Sequence, residues 1–445
     1  MGIRPSTRGM TISKVSRPTR MSKAVIGAVL ALSGLTTMAG VIPASGAPRP
    51  HSSQSGIVAA VFSSFTGANA PFGPGSLAGC IAGASEVNAS GGVFGHKLTC
   101  QPVDDKSDPA DAVSATTKML TGISNLALVL GPPGNSVPTT SPIISASHIP
   151  MFSETGSPLM DHNSDPYFYR VAPSDSVTGI AMALWAYNHG CKTAAAIFDT
   201  NSSAATVVPG MKAEYLKLGG KLVLNLLVTA DAPSYRSEAA QFAGAHAQCA
   251  FTETDPQTAA TFWSEVLQLT HKLPPVFGDQ ADLFGPYYQA VLPVTGKAFH
   301  FTALSQSAPV ASTALTLFVK YLKTASSQVS NPEQYATITP SIADADAVIA
   351  AALAMVDAHS TSGSVYRKYI NDVTGIPGKG RTTVRTFAQG VAALRAHKKI
   401  VYVGIGGEMV WNKYNNFAAQ FSALRLLNKT GATKNLGSIP LRDLP

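Results

Sequence analysis

The chain has 445 residues, with 33 Lys and Arg against 25 Asp and Glu, a formal net charge of +8, and only 13% charged residues. So few charges beside 45% hydrophobic residues exclude a disordered or coiled-coil chain and fit an α/β protein with a buried parallel sheet. The length is too great for one core and predicts two domains.

Residues 1–23 carry Arg4, Arg8, Lys14, Arg17, Arg20 and Lys23 without an acid, and Ala24–Gly40 is small and apolar. That run is too short and too weakly apolar for a transmembrane helix, which needs about 20 apolar residues. Ala44-Ser45-Gly46-Ala47 offers the small residues of a cleavage site, so residues 1–47 read as an export signal peptide, with Met21 a second candidate start. A retained N-terminal anchor is the competing reading. No cysteine lies near the cut, so no lipid anchor signal is present. Without this segment 27 basic residues of the 33 face 25 acids, a net charge of +2. The basic character belongs to the address, and nucleic acid is not an expected partner.

The elements then follow in a repeating order. Ile57–Phe62 is an apolar strand opening into a loop with Thr66-Gly67 and Phe72-Gly73. Leu77, Ile81, Ala84 and Val87 recur at helical spacing up to Asn88-Ala89-Ser90-Gly91-Gly92. Lys97–Val103 is a strand, and Asp104-Asp105-Lys106-Ser107-Asp108-Pro109 is a turn and helix start. Asp104 and Asp105 are adjacent and so point to opposite faces, which argues against a catalytic pair. The strand Leu126–Leu130 runs into Gly131-Pro132-Pro133-Gly134-Asn135-Ser136, and Pro150–Ser153 is a short strand. Beyond Arg170, with Ser174 or Asp175 as helix cap, the pattern resumes. Strands are predicted at Thr193–Phe198, Leu222–Val228, Cys249–Thr252, Val276–Phe277, Lys297–Thr302 and Ile400–Val403. Helices are predicted at 211–218, 235–247 and 342–359, and the Ser- and Gln-rich block 323–336 reads as an exposed loop.

Four cysteines in an exported chain read as two disulfides, with three pairings open from the sequence alone. A zinc site is disfavoured, because no close cysteine pair and no histidine pair at ligand spacing occurs; no metal and no cofactor is expected. The ten histidines are scattered, and neither a G-x-S-x-G elbow nor a phosphate-binding Gly-Lys loop appears. A secreted hydrolase is therefore the weakest reading, and the chain is not expected to be an enzyme.

The ordered series Thr66-Gly67 … Phe72-Gly73, Asn88-x-x-Gly91-Gly92-x-x-Gly95, Asp104-Asp105-x-x-Asp108-Pro109 and the Gly131-to-Ser136 loop resembles the leucine/isoleucine/valine-binding family. These are type I periplasmic solute-binding proteins of branched-chain amino-acid ABC transporters. The stretch Phe168-Arg170-Pro173-Asp175 resembles that family's crossover into a second lobe. The resemblance implies an α/β, two-lobed type I periplasmic-binding-protein fold, each lobe a mainly parallel sheet flanked by helices, with a three-strand hinge. It implies lobe 1 at 56–169 plus 303–403 and lobe 2 at 170–302 plus 404–445. Neighbouring elements in that fold imply the pairs Cys80–Cys100 and Cys191–Cys249.

It also implies a cleft between the lobes for a small ligand: an amino acid, an amide or a small carboxylate. Ser136, with Asn135 adjacent, takes the place of the family's carboxylate-binding serine. Thr155, Gly156 and Ser157 match its next ligand turn, and Phe72 its loop aromatic. In the second lobe the chain departs from the pattern: Ser203 stands nearest a missing tyrosine, and Asp279 and Gln280 stand where relatives carry the ammonium partner. The implied protein is a monomer, exported to the periplasm or cell envelope, that serves a membrane permease. A sensor or scavenger of the same fold without a transporter is the alternative.

Overall fold

In a computed structural model the described residues are 56–67, 69–200, 202–283, 285–306, 312–418 and 420–439. The predicted export segment 1–47 and the side chains of Asn135 and Ser203 lie outside them.

The first sheet contains β1 (Ile57–Ser63), β2 (Leu98–Asp104), β3 (Leu126–Leu130), β4 (Met151–Ser153) and β5 (Phe168–Arg170), all parallel, in the order β2-β1-β3-β4-β5. Successive residues of β1 point to opposite faces, and both faces are apolar because helices cover both. Ala59 and Val61 pack with α1 (Gly73–Ala89), whereas Ala60 and Phe62 pack with α2 (Pro109–Gly122) and α3 (Val137–Ala146). Pro109 opens α2 behind Asp108, whose carboxylate accepts the N–H groups of Ala110 and Asp111.

After β5 the chain enters α4 (Asp175–Asn188), capped by the Ser174 hydroxyl, which accepts the Ser176 N–H. A second sheet follows, with β6 (Thr193–Asp199), β7 (Lys221–Val228), β8 (Cys249–Glu253), β9 (Val276–Asp279) and β10 (Phe301–Gln306) parallel to one another. The same alternation holds. Ala194, Ala196 and Phe198 face the core of α4 and α5 (Ser202–Lys217). Ala195 and Ile197 face α6 (Arg236–Ala245), α7 (Pro256–Thr270) and α8 (Gly285–Thr295).

The chain then packs back on the first core with α9 (Thr313–Leu322), α10 (Thr339–Asp357), α11 (Gly363–Val373), β11 (Thr382–Val384), α12 (Phe387–Arg395) and β12 (Ile400–Tyr402). By length and composition α10 would suit a membrane, but it is almost wholly buried as the core helix against α1. The contact is close: a Cβ on Gly79 would lie 2.1 Å from the Ser341 carbonyl oxygen, so only glycine fits there. Finally β13 (Phe421–Leu426) and β14 (Thr433–Ile439) add antiparallel to the second sheet, giving β14-β13-β10-β9-β8-β6-β7.

The disulfides are Cys80–Cys100 and Cys191–Cys249, as expected. Some expectations shift. The strand predicted at Lys297–Thr302 runs instead over Phe301–Gln306, because Gly296–Ala298 forms a tight turn first. The block 323–336 is not a simple exposed loop. It folds into two short 3₁₀ turns that bury Ala325 and Val329 beside the first core. The strands β11, β13 and β14 had no strand signal of their own.

Candidate functional site

The C-terminal ends of the strands carry the candidate residues, where loops lead into helix N-termini. On the first lobe the two adjacent aspartates organise the loops. Asp104 accepts from the backbone N–H groups of Phe65 and Thr66 and from the Thr66 hydroxyl, which lies 2.6 Å away. These four-way contacts, with the Lys106 N–H, lower its carboxyl below the usual range despite its partial desolvation. Asp105 is buried and accepts from Ser64 Oγ at 2.6 Å and from Ser136 Oγ at 2.8 Å. The loops after β1, β2 and β3 are thus tied to one carboxylate. Ser136 is buried, and its hydroxyl is engaged inside the protein. Phe72 is half-buried at the N-terminus of α1, apart from these bonds.

The loop after β4 reaches the other lobe. The Thr155 hydroxyl accepts the Ser157 N–H, and the Ser157 carbonyl accepts from Arg170 Nη2 at 2.5 Å. The Gly156 carbonyl accepts the Asp175 N–H at 2.8 Å, at the first turn of α4. A Cβ on Gly156 would come within 1.7 Å of Asp175 Oδ1. Gly156→Ala must therefore part this contact, and a loss of about tenfold in solute affinity is expected, with little change in the far-ultraviolet spectrum.

Carboxylates dominate the second lobe's side. Asp175 takes the Thr206 hydroxyl at 2.5 Å, and desolvation pushes its carboxyl up to about 6 against the lowering effect of Thr206 and Arg170. Asp279 is buried at the end of β9 and accepts the Ala281 N–H at 2.7 Å. Desolvation, with the Asp175 charge adding to it, pushes Asp279 up to about 7. Gln280 crosses between lobes: its Oε1 accepts from Ser305 Oγ at 3.4 Å and from Thr339 Oγ1, at the start of α10, at 3.3 Å.

The structure therefore brings Gly156, in the middle of the Thr155–Ser157 turn, against Asp175, whose charge acts on the buried Asp279, and Gln280 against Thr339. Ser136 joins Asp105 instead. Three acids escaped the sequence reading as site residues. Asp175 was visible in the crossover motif but read only as a cap. Glu154 sits inside the matched Ser153–Ser157 turn, and burial beside Asp344 of α10 raises both carboxyls well above the usual range. An acid in a Ser- and Thr-rich ligand turn was the available signal for Glu154; Asp344 had none, because only tertiary packing brings it there.

Two lobes of parallel sheet, joined by crossing segments and meeting at their strand ends, define the type I periplasmic-binding-protein class. Residues 56–272 match the family model described as periplasmic binding protein, in agreement with the leucine/isoleucine/valine-binding resemblance. Among curated proteins, an amino acid binding protein of Pseudomonas aeruginosa is 26% identical over 170 residues. That match covers 38% of this chain and 46% of the relative, so the chain spans about half the length of the curated protein it matches. Among solved structures, the leucine-binding protein LivK of Thermotoga maritima is similar with a TM-score of 0.66 at 15% identity, covering 87% of this chain and 100% of that one. LivJ of Streptococcus pneumoniae, in complex with isoleucine, gives 0.66 at 15%, covering 86% and 99%. A solute-binding protein of Rhodopseudomonas palustris HaA2, in complex with p-hydroxybenzoic acid, gives 0.67 at 15%, covering 86% and 97%. These fold relatives are solute-binding proteins and bind chemically different small molecules.

Proposed function

We propose that this chain is the exported solute-binding component of an ABC-type importer, whose lobes close on a small amino-acid-like solute bearing an ammonium group. The expected lobes are 56–169 with 303–403 and 170–302 with 404–445, and since β10 pairs within the second sheet, residues 303–306 go with the second lobe instead. The observation that carries the reading is the contact of Gly156, in the Thr155–Ser157 turn, with Asp175, whose charge also acts on the buried Asp279. Desolvation is the main cause of the raised pKa values of both acids, and the turn is rich in hydroxyls and N–H groups. An ammonium placed there supplies these desolvated carboxyls with a counter-charge. The solute's other end has hydroxyls and backbone N–H groups of the first lobe as partners rather than an arginine. Binding between hinged lobes lets the solute stabilise the closed state that a permease can recognise.

A thermal-shift screen of free amino acids, amides and small carboxylates tests this, since a ligand of the native state raises the melting temperature. Amino acids are expected to give the largest shifts. Asp279→Asn should weaken the best of them by about 1.5–3 kcal/mol, the scale of a hydrogen bond to a charged group, and leave uncharged solutes unaffected. Ser136→Ala, by freeing Asp105, should cost about 1 kcal/mol of stability and leave affinity nearly unchanged. A screen in which no solute shifts the transition sinks the reading.

A further inference from the structure

Charge is unevenly placed along the chain. Residues 363–399 hold eight Lys and Arg and one acid, Asp372, whereas the rest of the chain beyond residue 47 holds 19 against 24. None of these cations belongs to the candidate site.

The fold gathers five of them at one end of the first lobe. The strands β11 and β12 are parallel, with Thr382 opposite Ile400, so the loops that enter them lie side by side. The Thr382 N–H donates to the Lys399 carbonyl at 2.7 Å, and Arg381 Nε donates to the Ile400 carbonyl at 3.0 Å. One loop carries Lys379 and Arg381, the other Arg395, Lys398 and Lys399, and neither 374–381 nor 395–399 contains an acid. Arg381 is half-buried and the other four are exposed. Among the described residues none of the five forms an ion pair with a carboxylate. Arg381 Nη2 donates to the backbone carbonyl of Asp372.

An apolar side chain stands out of the first of these loops. Ile376 is 64% exposed, next to Pro377 and three residues before Lys379. Its loop is fixed at the base, where the Gly375 N–H donates to the Met409 carbonyl at 2.8 Å and the Arg381 N–H to the Gly378 carbonyl at 3.2 Å. A lone exposed isoleucine is ordinary. Beside unpaired cations on a fixed loop, it forms the combination that interfacial binding uses, apolar area for the acyl boundary and positive charge for anionic headgroups. Three of the five cations are lysines, which protein–protein interfaces disfavour. Neither loop has a Phe, Tyr or Trp on which a nucleic-acid base would stack.

We infer that this end of the first lobe docks on an anionic phospholipid surface, with the five cations at the headgroups and Ile376 in the acyl boundary. The other end of β12 leads into the Gly404–Gly407 turn, where the Ile405 and Gly406 N–H groups bond Asp346 of α10, toward the crossing segments. The docking end thus points away from the hinge, and the docked protein keeps its lobes free to close. The acid excess of the remaining chain is repelled by the same surface, which favours this one orientation.

Sedimentation with vesicles tests this on the protein as exported, without the basic segment 1–47. With vesicles of phosphatidylglycerol and phosphatidylcholine at low salt, half of the protein is expected to bind by about 0.1–1 mM lipid. Binding should weaken at least about tenfold at about 0.5 M salt, and vesicles of phosphatidylcholine alone should hold none. Lys379→Gln, Lys398→Gln and Lys399→Gln together should weaken binding about a hundredfold, at about fivefold per cation, with the melting temperature unchanged. Lys118→Gln, Lys272→Gln and Lys434→Gln, at exposed lysines elsewhere, make the same change in net charge and should cost about threefold at most. Ile376→Ser should cost about tenfold on vesicles and nothing on poly-glutamate, a soluble polyanion. Equal losses in the two triple variants, binding to phosphatidylcholine alone, or no binding to the anionic vesicles overturns the inference. A loss in the first triple variant with none in Ile376→Ser overturns the membrane assignment in favour of a soluble polyanion.

Discussion

Replacing Cys191 and Cys249 together by alanine is expected to lower unfolding stability by about 4 kcal/mol, because the bridge closes a loop of 58 residues in the unfolded chain. The same change at Cys80 and Cys100, 20 residues apart, is expected to cost about 3 kcal/mol. Position in the fold makes the first effect selective. Cys191 and Cys249 sit at the N-terminal ends of β6 and β8, where the two parallel strands begin. The candidate site lies at the opposite, C-terminal ends. The variant should therefore unfold at lower urea concentration yet bind solute with unchanged affinity at 15 °C. Urea titrations, with calorimetry on the still-folded protein, check both halves. A stability loss below about 1 kcal/mol would mean that the reduced unfolded chain is already constrained there.

The second large effect concerns pH and Glu86, which is buried on α1 and accepts the Phe387 N–H at the start of α12 through Oε1 at 2.8 Å. Desolvation raises its carboxyl to about 7 from 4.5, outweighing the Phe387 bond, and Asp346 adds to the rise. The folded state thus holds this proton more tightly than the unfolded chain does. Its stabilising effect is complete below about pH 4.5 and is lost as pH rises through 7. The difference amounts to about 3 kcal/mol. Asp175, Asp279 and Asp346, raised to about 6, 7 and 6, act in the same direction. The melting temperature of the solute-free protein should accordingly fall between pH 5 and pH 8. Glu86→Gln keeps an acceptor for Phe387 and removes the titration, so its fall should be shallower by about 3 kcal/mol. Unfolding curves at four pH values decide it: parallel profiles for the two proteins would refute the assignment to Glu86.

Much of the first lobe was legible because its signals are local. Apolar runs of strand length, the Asp108-Pro109 helix start, the Ser174 cap and the turn at Gly91-Gly92 each depend on residues a few positions apart. Their order, rather than any one of them, carried the family resemblance and with it the disulfide pairs. The C-terminal part was harder to read. Although β12 was legible as Ile400–Val403, β11 is three residues long, too short for a period to appear, and β13 and β14 become strands only by pairing antiparallel beside β10.

By itself the sequence determined the α/β rhythm, the helix boundaries set by proline, serine and aspartate, and the loops in which polar groups gather. These follow from backbone preference and the burial of nearby apolar side chains. Only the tertiary structure decided what each polar group does. Ser136 looked like a ligand donor, and its hydroxyl turns to Asp105, 31 residues earlier. Glu154 lies beside Asp344, and Gln280 meets Thr339, 59 residues later. Hydrogen-bond partners and desolvation depend on which distant segments the fold brings within about 3 Å, and no local pattern encodes that distance.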